Sequence, residues 1–505
     1  GEGVVIGIGD ESNLLRHVDF TGRLINHAAL SAGDLGVLVA GVAAGAGLLQ
    51  EKYAGHMPKA KIVSQEFSKI LAYAPAYIQD YNMVITNNSY GNSADCQTFG
   101  IYDLYSRVMD EMALAYPHLQ NVFAAGNSGS SNCPPYPAGY HTVYGSYQSA
   151  KNVISVGNVS ELGIVSAGSS KGPVADGRIK PEIMAQGVNV YSSYPVNIYG
   201  PTSGTSMAAP AVSGGLGLLY QRYRQLHANT DPANGLMKAL LCNGATDAGN
   251  PGPDYLYGFG RMNLLRSVKM LENNNFFEST VNVAASTTHT VTLPAGIAQL
   301  KVMLYWNDEP AAMLSSHTLI NDLDLEVDDP SSVTTLPFIL DTLPANVANS
   351  ATRGADHINN IEQVVIDNPG AGTYTFRVKG TNIPLSSQYS YFLVYDTIPA
   401  STTLIYPMGG EHLSAGDQLY ISWDAYGNSG NDFSLQYSTD GGATWPVTIA
   451  SNIAAGQRQY AWVVPAGSTD QARVRLVHNG TGQESISNNF VVLGTPVVTL
   501  ASVQC

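Results

Sequence analysis

The chain has 505 residues, 44% hydrophobic and only 12% charged, with a net charge of −15. That balance supplies the apolar and small side chains for two to four packed domains and excludes global disorder. An acidic chain without a basic block is not built for nucleic acid or an anionic membrane surface. No apolar run reaches membrane-spanning length, so the chain is not expected to be transmembrane.

The chain opens on a strand-like run at residues 4–9. No signal peptide is visible, so any secretion signal or pro-segment is expected to have been removed or to lie outside this sequence. Residues 35–44 are apolar and small, which predicts a tightly packed helix, and residues 60–65 and 82–87 read as strands. Residues 98–116 have helical period, with Ile101, Leu104, Val108, Met112 and Ala115 on one stripe. Strands follow at 121–125 and 153–156, and residues 206–226 read as a long buried helix. This alternation predicts an α/β domain over 1–272 with a mostly parallel sheet.

Beyond about residue 275 helical periodicity gives way to alternating runs at 289–293, 300–305 and 374–378. Punctuated by Pro, Asn and Gly, residues 277–398 predict an all-β sandwich, barrel or jelly roll. A second β unit is expected over 402–493, with Asp440-Gly441 as a tight turn and Trp423, Trp445 and Trp462 as core. Residues 494–505 read as a linker or tail.

Four cysteines, at 96, 133, 242 and 505, are too few for a disulfide scaffold. Cys96 and Cys133 lie in Gly/Asn/Ser-rich loops, and are either a disulfide formed in an oxidising compartment or two free thiols.

The strongest local signal is Gly204-Thr205-Ser206-Met207-Ala208-Ala209-Pro210 at the start of a predicted helix. A serine there presents its hydroxyl where the helix dipole favours developing negative charge, the bland alternative being an N-cap. This run resembles the nucleophile motif of the subtilisin family. Phe123-Ala124-Ala125-Gly126-Asn127-Ser128-Gly129 is similar to the family's oxyanion segment, which makes Asn127 the oxyanion asparagine, with the Ser206 N–H as second donor. Val5-Ile6-Gly7-Ile8-Gly9-Asp10 resembles the strand ending in the triad aspartate, Asp10. Weaker agreements include Asn87-Asn88-Ser89-Tyr90-Gly91 and Tyr257-Gly258-Phe259-Gly260-Arg261-Met262-Asn263. The order Asp, Asn, Ser is that of the subtilisins.

The histidine departs from the pattern. The family's His-Gly-Thr-His-Val-Ala-Gly stretch matches Leu35-Gly36-Val37-Leu38-Val39-Ala40-Gly41, so Leu35 stands at the position of the base. Leucine accepts no proton, and Ser206 keeps its own. In a subtilisin, losing the histidine alone costs about 2 × 10⁶ in turnover, or roughly 8–9 kcal/mol of barrier. Six other histidines lie in the domain, at 17, 27, 56, 118, 141 and 227, and His17 is the candidate substitute nearest Asp10 in sequence. Asp10, without an imidazole partner, is expected to find another donor, with Ser12 a candidate, or to shift towards its protonated form.

The second region resembles the C-terminal β-barrel of the alkaline subtilases, through Leu304-Tyr305-Trp306-Asn307-Asp308, Leu319-Ile320-Asn321-Asp322-Leu323-Asp324-Leu325 and Asn359-Asn360-Ile361-Glu362. That resemblance implies calcium, though no cofactor is required. Asp308, Asn321, Asp322, Asp324 and Glu362 are oxygen donors of the type calcium takes, but strand alternation lets only part of the set share one ion. The alternative is a solvated acidic face. The third region is similar to fibronectin-like or immunoglobulin-like modules of secreted surface proteins.

Three functions are consistent with these residues. The first is a secreted, extracellular or cell-surface subtilisin homologue, catalytically inactive, with a cleft that holds a peptide or protein. The second is an active serine endopeptidase using another base. The third is a passive surface cargo within a larger secreted assembly.

Overall fold

The computed structural model describes residues 1–11, 14–29, 33–92, 95–427 and 430–494. The expected tail at 494–505, with Cys505, lies almost entirely outside the described residues. By internal contacts the chain forms two compact units. One comprises 1–292, 301–365 and 372–396, and the other 293–300, 366–371 and the chain from 397.

The first unit begins with β1 (Val5–Gly9), β2 (Leu24–Asn26), α1 (Leu35–Ala44) and β3 (Lys61–Gln65), then α2 (Lys69–Ala72), α3 (Ala74–Tyr81) and β4 (Met83–Asn88). It continues with α4 (Leu104–Ala115), β5 (Gln120–Ala124), β6 (Ile154–Val159) and β7 (Ile183–Gln186). The hairpin β8 (Val190–Tyr194) and β9 (Ile198–Thr202) leads into α5 (Thr205–Leu226), followed by α6 (Asn234–Gly244) and α7 (Leu264–Glu272). Seven parallel strands run in the order β2-β3-β1-β4-β5-β6-β7. β1 and β5 are buried at every position, as continuous apolar runs in a sheet covered on both faces must be. α1 packs on α5 and β8. Its residues 36–44 are all buried, which only small side chains such as Ala40, Gly41, Ala43 and Ala44 allow at close range.

α4 departs from the expected stripe. It starts at a capping box, with Asp103 accepting from the Tyr105 and Ser106 N–H groups. Its buried face is Ser106, Met109, Asp110 and Ala113, while Leu104, Val108 and Ala115 are exposed. Asp110 turns inward because the Tyr102 hydroxyl and the Asn152 N–H both donate to it, so polar satisfaction overrides the apolar stripe.

The same unit holds most of two antiparallel β-sheets, one ordered Phe276–Asn282, Gln388–Pro399, Ile297–Tyr305, Ile361–Asp367. Buried ion pairs tie these β elements to the α/β part. Lys151 Nζ lies 2.7 Å from Asp308 Oδ2 and donates to the Glu309 and Thr318 carbonyls, and Arg266 pairs with Asp396.

The second unit is all-β over most of its length, with a core of Trp423, Phe433, Tyr437, Trp462 and Phe490. Trp445 is not core: it is half-buried, with the Arg475 guanidinium 4.6 Å over its ring. Asp440-Gly441 lies in a longer connection, residues 439–446, which Asp440 organises by accepting from Ser438 and Thr444.

Candidate functional site

Open parallel sheets present their functional loops at the carboxyl ends of the strands, and this sheet gathers the predicted site residues there. β1 and β4 are neighbours, with Gly9 opposite Asn88, so Asp10 and Ser89 leave the sheet side by side. Asn127 follows β5, and Ser206 lies in the first turn of α5. Ser206 Oγ donates to the Ser89 carbonyl at 3.2 Å, and Ser89 Oγ donates to the Ser206 carbonyl at 2.9 Å. This reciprocal pair holds the first turn of α5 against the exit of β4.

Asn127 is oriented by its oxygen. Oδ1 accepts the Thr205 N–H at 2.9 Å and the Thr205 hydroxyl at 3.0 Å, leaving Nδ2 as a donor. Gly204 has φ +148°, and a Cβ built there would lie 3.7 Å from both Asn127 Nδ2 and the Ser206 nitrogen. Among the described residues nothing accepts the Ser206 N–H. Two donors thus converge on a small space that glycine leaves open at the N-terminus of a long helix. This arrangement can stabilise an oxyanion.

Asp10 is fully buried. Its Oδ1 accepts the Glu11 N–H at 2.8 Å, whereas Oδ2 has no partner among the described residues. Burial pushes its carboxyl up to about 7, against the pull of the Glu11 N–H. Ser12, the expected compensating donor, lies outside the described residues. Leu35 opens α1, half-buried and packed on the core, and the Gly36 N–H donates to the Glu11 carbonyl at 3.3 Å. The first turn of α1 therefore sits against the residue that follows Asp10. Leu38 is buried, and its carbonyl accepts from Ser192 Oγ.

Among the described residues no histidine nitrogen reaches Ser206 Oγ. His17 is buried, its Nδ1 accepting the Asp19 N–H at 3.2 Å and its ring edge-on to Tyr199. His27 bonds the Tyr81 hydroxyl. His118, His141 and His227 bond the carbonyls of Pro232, Pro173 and Tyr223, and His56 is exposed.

The predicted cation ligands divide into two groups. Asp308 is taken up by Lys151 and by the N–H groups of Ile320 and Asn321, and the Asn321 side chain donates to it. Asp322 and Asp324 lie on one face of a strand with His357, whose Nδ1 is 2.8 Å from Asp322 Oδ2. Glu362 is buried beside them, and burial and the neighbouring carboxylates push its carboxyl well above the usual range. Asp322 Oδ1, Asp324 Oδ1 and Glu362 Oε1 are buried and accept no hydrogen bond from the described residues, with His357 Nδ1 3.8 Å from Asp324 Oδ1, an arrangement that fits a cation. His357, missed in the sequence reading, belongs to this cluster, and the neighbouring Asp356 has its oxygens taken up by the Ile358 and Asn359 N–H groups and the Asn359 side chain. The position of His357, two residues before the family-like Asn359-Asn360-Ile361-Glu362 run, was the available signal.

Cys96 and Cys133 are joined as a disulfide, with Cα atoms 5.3 Å apart, and Cys242 is free and buried.

Residues 1–260 match the family model described as Peptidase_S8, Subtilase family. The chain is 38% identical over 149 residues to Subtilisin DY of Bacillus licheniformis, covering 28% of this chain and 44% of that protein. It is 26% identical over 283 residues to the serine protease/ABC transporter B family protein tagA of Dictyostelium discoideum, covering 47% of this chain and 15% of that protein. The chain thus spans less than half the length of either relative. The solved patellamide maturation protease PatA aligns over 54% of this chain and 98% of its own, at 20% identity and a TM-score of 0.44.

Proposed function

The chain belongs to the Subtilase family, and from that premise we propose that it is a non-cleaving member whose cleft holds an extended peptide segment. One observation carries this reading: the Ser206 hydroxyl spends its proton on a backbone carbonyl, with an aliphatic Leu35 beside the Asp10 loop. Among the described residues no base stands within hydrogen-bond reach to take that proton, so the hydroxyl remains a weak nucleophile. The Asn127 and Ser206 donors can still bind a carbonyl or carboxylate oxygen. The Cys96–Cys133 disulfide supports an extracellular or cell-surface setting, because such bonds persist in oxidising compartments. Among the described residues no helix is long and apolar enough to cross a membrane.

A fluorophosphonate probe tests the reading. The expected result is no stoichiometric labelling of Ser206 and no casein cleavage by the intact chain. Labelling and cleavage that both vanish in Ser206→Ala would restore the working endopeptidase, the reading that the relatives' protease names favour. Leu35→His is expected to bring labelling back, with Leu38 left unchanged because it is core. Absence of saturable binding across a library of extended peptides would leave only the passive surface role. A second proposal concerns the β elements: Asp322, Asp324 and Glu362 hold a calcium ion that neutralises their buried, unpartnered oxygens.

A further inference from the structure

Between the exits of β4 and β5 lies a slot whose walls are glycine backbone. Gly91 stands two residues past Ser89, and Gly126 immediately precedes Asn127, so the slot opens beside Ser206. Both glycines face one side chain. A Cβ on Gly91 would overlap Cδ2 of Tyr144, and a Cβ on Gly126 would overlap Cδ1 of the same ring. The ring is therefore gripped along both edges, and neither wall tolerates even a methyl group while it is there.

The ring is held from behind by built structure. The Tyr144 N–H donates to the Ala125 carbonyl at 3.0 Å. The flanking segment is zipped onto the loop before α4, through Gly100 N–H to the Val143 carbonyl and Ser146 N–H to the Ile101 carbonyl. From that loop Phe99 stacks on the Tyr144 ring, with centroids 6.1 Å apart and planes 12° from parallel. Gln148 Nε2 donates to the Tyr90 and Ala124 carbonyls, spanning the two strand exits. Among the described residues no hydrogen bond ties the Tyr144 hydroxyl, so packing alone seats the ring.

We propose that Tyr144 is a built-in plug of the side-chain slot beside Ser206, closing it to bulky residues of a bound peptide and leaving room only for small ones. This deepens the peptide-holding reading and rests on it. A side chain lying across the slot would have to share space with the ring, and close-packed walls of backbone cannot recede to admit it. Glycine or alanine at that point of a bound segment makes no such demand. The residue acts on which peptide is held, and it would do so equally in an active or an inactive chain.

The test uses the full chain, a Tyr144→Gly variant and two kinds of probe. The first is a set of alanine hexapeptides carrying a single phenylalanine moved through every position. In the unaltered chain one position should reject phenylalanine by roughly 10-fold or more in affinity. In Tyr144→Gly the same position should accept it, with the discrimination lost or reversed. The second probe is p-cresol, the tyrosine side chain freed of its backbone, since engineered apolar cavities take up aromatics of matching shape. The variant should bind one equivalent saturably, and the unaltered chain none. Uniform tolerance of phenylalanine by the unaltered chain overturns the proposal, and so does a folded variant that takes up no p-cresol. If neither form binds any hexapeptide, the peptide-holding reading fails, and the p-cresol result alone decides whether Tyr144 fills a ligand-shaped slot. Should Tyr144→Gly not fold, Tyr144→Leu replaces it, and relaxed rejection of phenylalanine at that one position is the deciding result.

Discussion

Asp10 shows what burial does to a carboxylate with few hydrogen-bond donors around it. One of its oxygens is bonded to backbone and the other to nothing described. Its pKa rises from 3.8 to about 7, chiefly through burial. The unfolded chain releases this proton near pH 4 and the folded chain keeps it to about pH 7, so between those values the folded state binds the extra proton. Stability accordingly falls as pH rises through that window and is flat, in this contribution, above it. The penalty at pH 8 is about 4 kcal/mol from the size of the shift. Asp10→Asn is expected to stabilise the chain at pH 8 by roughly 1–3 kcal/mol, since burying an unbonded Nδ2 offsets part of the gain. At pH 3.5 the variant should gain nothing. Urea denaturation of both proteins at the two pH values measures the difference, and an equal effect at both would mean that Asp10 does not titrate as described.

At the scale of elements, buried charges join the α/β part to the β elements of the first unit beside an apolar seam in which Met303, Tyr305, Val347, Ile361 and Val394 share the core. Lys151 pairs with Asp308 across that junction, and next to it, within the α/β part, buried Lys238 and Lys180 both pair with Glu182. Burial lowers Lys180 to about 7 despite the Glu182 carboxylate. Such pairs add little net stability over an apolar replacement, yet breaking one strands a charge in low dielectric. Lys151→Ala is expected to destabilise the first unit by roughly 3–5 kcal/mol, while Lys151→Met with Asp308→Leu costs much less. Chemical denaturation of the single and double variants checks the contrast. The same element-level logic explains α4: its capping box and the inward Asp110 fix the helical phase, which the hydrophobic period alone misassigned.

At the scale of the molecule, Asp322, Asp324 and Glu362 each bury a carboxylate oxygen that accepts no hydrogen bond from the described residues, and burial pushes the Glu362 carboxyl well above the usual range. A calcium ion bound to the folded state alone stabilises it by mass action, about 2.7 kcal/mol at a hundredfold excess over the dissociation constant. Calcium is therefore expected to raise the melting temperature and chelator to lower it, and Glu362→Gln should blunt both effects. A calcium-independent melt would leave the cluster without a bound cation, with His357 Nδ1 beside Asp322.

What the sequence by itself determined is the part written in contiguous residues. Gly204 to Pro210, Phe123 to Gly129 and the β1 run each carry their identity in local order. Element type was legible at β1, α1, β3, β4, β5, β6 and α5, which bury most of their runs, whereas α2, α3, α6, α7 and the β8–β9 hairpin emerged only in the structure. Only the tertiary structure decided where separate segments meet. The Ser206–Ser89 pair, the division of the acidic residues between Lys151 and the Asp322 cluster, and the Tyr144 ring between Gly91 and Gly126 all depend on contacts between residues far apart in the chain. Their physical causes are close packing and the need to pair buried polar groups, and neither leaves a periodic trace in sequence. The glycines at 91 and 126 could be read in the chain, but the aromatic ring that requires them could not.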